Sequence, residues 1–298
     1  MQVVVNTKER KEAFGDLYGI FFEDINHAAD GGLYAELIRN RSFEFDAIDH
    51  PSYDALTGWE VIQGDGQVFA TVMCGGAVSE KNPHYLALDV QAEGNDVGIW
   101  NLGFNSGIPF RAGAQYYFTC YGKREQDLDK PVKISLRSAT GKVYVEQEAF
   151  FGLEWGKTEL TFTAPEEDFA GRLAITVAGR GKVYLDFVSL FPADTYRGRK
   201  NGLRKDLAEM LENLHPKFMR FPGGCLVHDG ALDENARDAQ YRWKNSIGRL
   251  EDRPARRNNW RYNQTLGLGY FEYFQFCEDI GAQPLPVIPA GYDPHHKR

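Results

Sequence analysis

The sequence predicts an α/β plus all-β fold, in which an antiparallel β-sandwich is set inside a parallel α/β domain. Three observations predict it. Between about Thr57 and Pro192 short β-rich runs are broken by Gly, Asn and Pro; after Asp194 a helix-then-strand pattern occurs twice; and a strand-like run at Tyr18 to Phe22 precedes the sandwich but belongs in character with the parallel strands. The third observation makes the two textures nested rather than consecutive. With 298 residues, 43% hydrophobic and 13% aromatic, the chain can bury a large core, and its length suits about two domains.

The first strand, residues 18 to 23, delivers Glu23 and Asp24 into a segment holding Asn26, His27, Asp30, Gly31 and Gly32. In parallel α/β folds, and above all in barrels, the carboxyl ends of strands carry the chemistry, so a strand ending this polar reads as the wall of a pocket. The sandwich is read from "QVFATVMC", "HYLALDVQA", "QYYFTCYGK", "VKISLRS", "KTELTFTA", "RLAITVAG" and "KVYLDFVSLF". Tyr116, Phe118 and Cys120 alternate with polar residues, as do Leu160, Phe162 and Ala164, which is the pattern of strands with one face on a core. Beyond Asp194 the period changes. Leu203, Leu207, Met210, Leu211 and Leu214 form one helical stripe, ended by Pro216 and followed by the strand "KFMRF". A second helix carries Phe271, Phe274 and Glu278 at helical spacing, with a cap at Gly281 and a short strand around Leu285 to Ile288.

The formal charge of −8 excludes a basic nucleic-acid face or anionic-membrane surface. No run approaches the roughly 18 apolar residues of a membrane span, and "MQVVVNTKERKE" lacks the apolar core of a signal peptide. The expectation is a cytoplasmic protein, with secretion left open if an export signal has been trimmed away. Cys74, Cys120, Cys225 and Cys277 have no metal-like spacing and are expected to be buried free thiols without disulfides. No cofactor and no metal are called for: Asp186 is a lone carboxylate, whereas calcium takes roughly six to eight oxygens.

The motifs "GIFFEDINHAADGGLYAELIRNRSFE", "FMRFPGG" and "RWKNSIGRLEDRP", in this order around a sandwich, resemble the opening half of family 51 glycoside hydrolases, the α-L-arabinofuranosidases. The resemblance extends over essentially the whole chain. It implies an incomplete (β/α)8 TIM barrel of about three strands and an inserted sandwich of the jelly-roll, carbohydrate-binding-module kind, with "GKVYLDFVSLF" as its closing strand. The implied domains are 1–54, first barrel strand and following loop or helix; 55–194, sandwich; and 195–298, start of the catalytic barrel. The implied activity is removal of terminal non-reducing α-L-arabinofuranosyl units from oligosaccharides and polysaccharides, with retention. In the family the two catalytic glutamates lie on later barrel strands, the acid/base in an Asn-Glu pair. No such pair stands near a third or fourth strand here, and the sequence closes on "PAGYDPHHKR", which reads as a loop. The expectation is an N-terminal part with no catalytic residue of its own, both glutamates lying downstream of Arg298. The alternative is a non-catalytic carbohydrate-binding or scaffold module, and a second copy of the chain is a partner the sequence allows.

The resemblance implies substrate-binding roles for Glu23, Asn26, Gly224, Cys225, Asp229, Trp243 and Asn245, with His27, Gly223 and His228 nearby. An ionised Glu23 accepts hydrogen bonds only, which suits sugar hydroxyls. Paired glycines allow close backbone approach, Cys225 stands where the family has Asn, and the Trp243 ring can lie along the C–H face of a sugar. Each has a plainer reading: a salt-bridged Glu, local hydrogen bonding, a tight turn, a structural Trp. The arginines of "GRLEDRPARRNNWR" are expected in structural ion pairs, and Trp59, Trp100 and Trp155 in the sandwich core rather than on a sugar platform.

Overall fold

Alternating side chains decide which face of each sandwich strand turns inward. The computed structural model describes residues 3–6, 8, 9, 12 and 15–292. It contains β1 (Gly19–Phe21), β2 (Trp59–Ile62), β3 (Gln67–Ser79), β4 (Asn82–Ala92), β5 (Gly98–Asn101), β6 (Ile108–Phe110), β7 (Gln115–Arg124), β8 (Val132–Arg137), β9 (Val143–Ala149), β10 (Gly156–Thr163), β11 (Asp168–Val177) and β12 (Gly181–Pro192). These are followed by α1 (Lys205–Glu212), β13 (Phe218–Phe221), α2 (Cys225–His228), β14 (Arg256–Asn258), β15 (Tyr262–Gln264), α3 (Tyr270–Ile280) and β16 (Gln283–Pro286).

The sandwich pairs a five-stranded sheet, β10-β7-β12-β4-β3, with a second sheet in the order β2-β5-β11-β8-β9, to which β6 adds along β11. Leu86, Leu88, Phe118, Cys120, Phe162, Val183 and Leu185 of the first sheet meet Ile134, Leu136, Leu173 and Ile175 of the second in one buried cluster. The short strands β2, β5, β6 and β9 were not among the runs picked out by alternation. Three or four residues of "WEVI", "GIWN" or "IPF" are too few to show a period. Only Trp59 of the three tryptophans lies in the core, where its indole N–H donates to the Asn40 carbonyl at 3.0 Å. Trp100 is half-buried and donates to Glu60 on the neighbouring strand. Trp155 is half-buried beside Tyr85, with the Lys123 ammonium 4.6 Å from its ring centroid, so that ring already holds a cation.

The parallel sheet has the order β1-β13-β16, with Gly19 opposite Phe218 and Phe218 opposite Gln283. Strand β1 precedes the sandwich in sequence yet pairs directly with β13 after it, so the sandwich is inserted between neighbouring strands. Residues 22–54, read as loop or helix, form turns without a helix. This strap serves both regions: Leu33, Tyr34 and Ala35 enter the core of the parallel sheet, while Ile38 and Phe43 enter that of the sandwich. Its buried Glu36 accepts from the amides of Ile38 and Leu190 and from the Ser189 hydroxyl, with Arg41 3.7 Å away.

The helix faces differ from those the periodicity predicts. On α1, Ala208 is fully buried and Leu207 and Leu211 are partly buried, but Met210 is 67% exposed and Leu214 also faces solvent. On α3 the buried face is Tyr270, Tyr273, Phe276 and Cys277, and Phe271 and Phe274 lie on the exposed side. That helix is apolar on two faces, so spacing alone could not choose between them; burial in the folded chain does, with Tyr273 stacked on Phe221 at 4.9 Å between centroids. Gly281 does cap α3, at φ 68° in the left-handed region. The four thiols are unpaired, but only Cys120 and Cys277 are buried; Cys74 is exposed and Cys225 intermediate, because each sits where its strand or turn meets solvent. Residues 293–298 of the closing loop-like run lie outside the described residues, and with them Arg298, the position beyond which the catalytic glutamates are expected.

Candidate sugar-binding site at the strand ends

Strand β1 continues its pairing beyond Phe21: the Phe22 amide donates to the Arg220 carbonyl at 2.8 Å, and Asp24 N–H reaches the Pro222 carbonyl at 3.3 Å. Glu23 is thereby carried alongside the turn that leaves β13. Its Oε1 accepts from the amides of Gly224 and Leu226, both at 3.0 Å. These are first-turn N–H groups of α2, which have no partner within the helix. Gly223 is required here on two counts: its φ is 157°, and a Cβ would meet Glu23 Cγ at 2.7 Å.

Side chains alternate, so Asp24 points away from Glu23 into the protein, where it is 1% exposed. Its Oδ1 accepts from the Ala29 amide at 3.0 Å and lies 2.9 Å from the Tyr262 hydroxyl; its Oδ2 accepts from the Gln264 amide. Arginine is donor-only, so the bond from Arg256 to Gln264 Oε1 at 2.9 Å turns the Gln264 NH2 toward Asp24. Asn258 and Tyr262 both reach the Asp24 carbonyl, at 2.9 and 2.7 Å. Burial, then the nearby Asp30 charge, push the Asp24 carboxyl up to about 6 against the hydrogen bonds that favour its ion. Burial pulls the Arg256 guanidinium down to about 10. Asp30 is held by the Thr265 amide and hydroxyl, both at 2.8 Å. His27 stacks on Tyr262 at 4.1 Å, and burial with the Arg39 charge depresses its pKa, which favours the neutral ring.

The other candidates occupy different places. Cys225 opens α2 beside Glu23, half-buried, and Asp229 caps the end of that helix. Trp243 is 40% exposed and packs on Tyr270 at 6.3 Å. Tyr270 in turn contacts Phe221 at 5.6 Å and donates its hydroxyl to the Val287 carbonyl, so Trp243 and Asn245, in one 3-10 turn, sit at the carboxyl ends of β13 and β16. Asn26 is exposed, at φ 53° in the loop after β1.

Of the arginine-rich run, Arg249 and Arg253 form ion pairs, whereas Arg256 bonds to Gln264 and the Ala239 carbonyl. Arg253 is buried against Glu272 at 2.9 Å, while Arg249 faces Glu251 and Asp252. Those two acids also dock the loop on the sandwich, accepting from the hydroxyls of Tyr121 at 2.9 Å and Ser79 at 3.0 Å. Asp186 uses its carboxylate on the amides of Val78 and Phe187. Sequence reasoning missed the cluster of Asp24, Tyr262, Gln264 and Arg256. Its one visible signal is the acidic pair Glu23 and Asp24 after an apolar strand; the partners lie more than two hundred residues away.

A model described as the α-L-arabinofuranosidase 1 domain matches residues 210–298. The extracellular exo-α-L-arabinofuranosidase of Streptomyces chartreusis is 44% identical over 97% of this chain, which spans 34% of that relative. α-L-Arabinofuranosidase 2 of Arabidopsis thaliana is 36% identical over 98% of this chain and 43% of its own length. The arabinose-bound MgGH51 α-L-arabinofuranosidase structure superposes with a TM-score of 0.82 at 31% identity, covering 93% of this chain and 44% of that one. The chain thus spans between a third and a half of the relatives it matches. Parallel strands with a carboxylate at the end of the first, and a sandwich inserted after it, are the arrangement in which the chain matches these proteins. Over nearly its whole length the chain is similar to the N-terminal part of the family 51 α-L-arabinofuranosidases.

Proposed function

We propose that this chain supplies part of the arabinose subsite of an α-L-arabinofuranosidase that removes terminal non-reducing α-L-arabinofuranosyl units, with retention, from oligosaccharides and polysaccharides. The observation that carries the reading is Glu23 at the end of β1. Both backbone bonds fall on Oε1. The carboxylate is therefore fixed in place, with Oε2 left to accept sugar hydroxyls. Trp243 offers a ring for the C–H face of the substrate, with Asn245, Cys225, Gly224 and Asp229 completing the wall and Asn26 at its rim.

Glu23 and Asp24 do not form the hydrolytic pair. A retaining enzyme needs two carboxyl groups about 5 to 5.5 Å apart flanking one glycosidic bond. Asp24 is buried and turned toward Tyr262 and Gln264, on the other side of the strand from Glu23. We assign binding to Glu23 and the acid/base and nucleophile roles to glutamates of later barrel strands, downstream of Arg298. The division proposed is barrel for 1–54 and 195–298 and sandwich for 55–194. Four unpaired cysteines favour a reducing compartment. The test is Glu23→Ala in the full-length protein: kcat/KM on an aryl arabinofuranoside falls by about 1 to 3 kcal/mol, the scale of hydrogen bonds to a charged group, with little change in Tm. Unaltered efficiency removes Glu23 from the site.

A further inference from the structure

We propose that Asp24 is a positioning residue whose neutral carboxyl donates its proton to Tyr262, locking the end of β1 so that Glu23 stays seated on the Gly224 and Leu226 amides. This rests on the reading of Glu23 as a sugar-binding group.

The argument is a count of protons. Tyr262 has one hydroxyl hydrogen, and its oxygen lies 2.7 Å from the Asp24 carbonyl and 2.9 Å from Asp24 Oδ1. A single hydrogen makes a full hydrogen bond to only one of these acceptors and a weakened one to each if it is shared between them. With the carboxyl ionised, at least one of the two oxygen contacts lacks a full hydrogen bond, at a site sealed from water. With the proton on Oδ1, Asp24 donates to Tyr262 and Tyr262 donates to the Asp24 carbonyl. The second lone pair of the phenol then accepts the His27 amide at 3.3 Å, and the second lone pair of the carbonyl accepts Asn258. Oδ1 keeps a lone pair for Ala29, and Oδ2 keeps Gln264. Every polar contact in the cluster is then satisfied.

The charged and titratable surroundings agree. Asp30, on the same loop, disfavours a second negative charge; His27 carries little positive charge to offset it; Tyr262, Tyr241 and Tyr273, from β15, the loop before Trp243 and α3, are all held neutral by burial. Arg256, on β14, faces this cluster but directs its hydrogen bonds to Gln264 and the Ala239 carbonyl rather than to Asp24, and the Arg39 charge acts on His27. Loss of the Asp24 proton loosens the clamp on the peptide next to Glu23, so the Gly224 and Leu226 amides and sugar affinity respond together.

The experiment follows the Asp24 carboxyl carbon and the Gly224 and Leu226 amides by NMR from pH 4.5 to 8 in the full-length protein, with KM and kcat measured over the same range. Expected is one shared step in all three signals and in KM, above the ordinary carboxylate range, and none in kcat. In Tyr262→Phe the midpoint falls, because the neutral carboxyl has lost its acceptor. A midpoint that rises shows that Tyr262 donates to an ionised Asp24, and an unchanged midpoint shows no coupling; either overturns the proposal, as does an amide step that does not follow Asp24. Glu23→Gln separates the two readings: if KM is unmoved while the Asp24-linked amide step remains, the sugar-binding role of Glu23 fails and the clamp stands.

Discussion

The sandwich and the parallel sheet, joined in one chain, bury their apolar residues to very different degrees. In the sandwich both inner faces are closed, with Leu86, Phe118, Ile134 and Leu185 fully buried. In the parallel sheet every residue of β16 is exposed, and Phe21, Leu285 and Ile288 are 54%, 50% and 63% accessible. The sandwich is held by packed side chains. The parallel sheet has a packed cluster of its own, with Met219, Phe221, Tyr273 and Phe276 buried, and adds buried polar groups around its strand ends: the Asp24 cluster, the Asp30–Thr265 contacts and the Arg253–Glu272 pair. Packing is non-directional and tolerant of sequence detail, whereas a polar cluster positions groups tightly and is costly when one member is lost. The region that carries the candidate site is the one that adds the second.

The largest effect that tests this contrast is a pair of truncations. In the 298-residue chain, Phe118→Ala removes a fully buried ring and should cost about 3 to 5 kcal/mol in denaturant unfolding, while Leu285→Ala, on a strand exposed in that chain, should cost well under about 1 kcal/mol. Equal losses would break the comparison. Native-state hydrogen exchange sharpens it, with the slowest amides expected in β4, β7, β11 and β12 rather than in β1, β13 and β16.

Next in size is a pH effect confined to the sandwich. Burial, before any other influence, raises the Asp186 carboxyl to about 8, against backbone bonds from Val78 and Phe187 that favour its ion. The folded value lies above the unfolded one, so the folded form retains a proton that the unfolded form loses between about pH 4 and 8. The stabilisation is complete in acid and disappears as pH rises through 8. From pH 6 to 8 this residue should lower stability by about 2 kcal/mol, at close to 1.4 kcal/mol per pH unit until its own midpoint is reached. A sandwich transition unchanged across that range would show Asp186 ionised throughout.

The smallest expected effect concerns the seam between the regions. Tyr121→Phe deletes the hydroxyl bound to Glu251 and should cost about 1 kcal/mol. The two regions should then unfold further apart in temperature, measured by tyrosine and tryptophan signals followed separately in calorimetry and fluorescence. A single transition displaced as one unit would mean that the strap at residues 22–54, not this loop, couples them.

Much of the architecture was legible because it is periodic. Tyr116, Phe118 and Cys120 repeat every second residue along β7, and all three are buried, so their inward face could be named from the letters alone. The nesting was legible too, from a strand pattern before the sandwich and helix-strand repeats after it. The inward face of α3 was not, since Tyr270, Phe271, Tyr273 and Phe274 offer aromatic residues on both sides and only burial in the folded chain distinguishes them.

Of the candidate site, the sequence by itself determined that a carboxylate would end β1 and that glycines would end β13. Only the tertiary structure decided that these meet, with Glu23 on the Gly224 and Leu226 amides, and that the neighbouring Asp24 is a buried partner of Tyr262 and Gln264 rather than a second group in the pocket. The reason is physical. Period and turn chemistry are local properties of a chain, whereas the protonation and orientation of a buried carboxyl depend on partners that folding brings from 238 and 240 residues away.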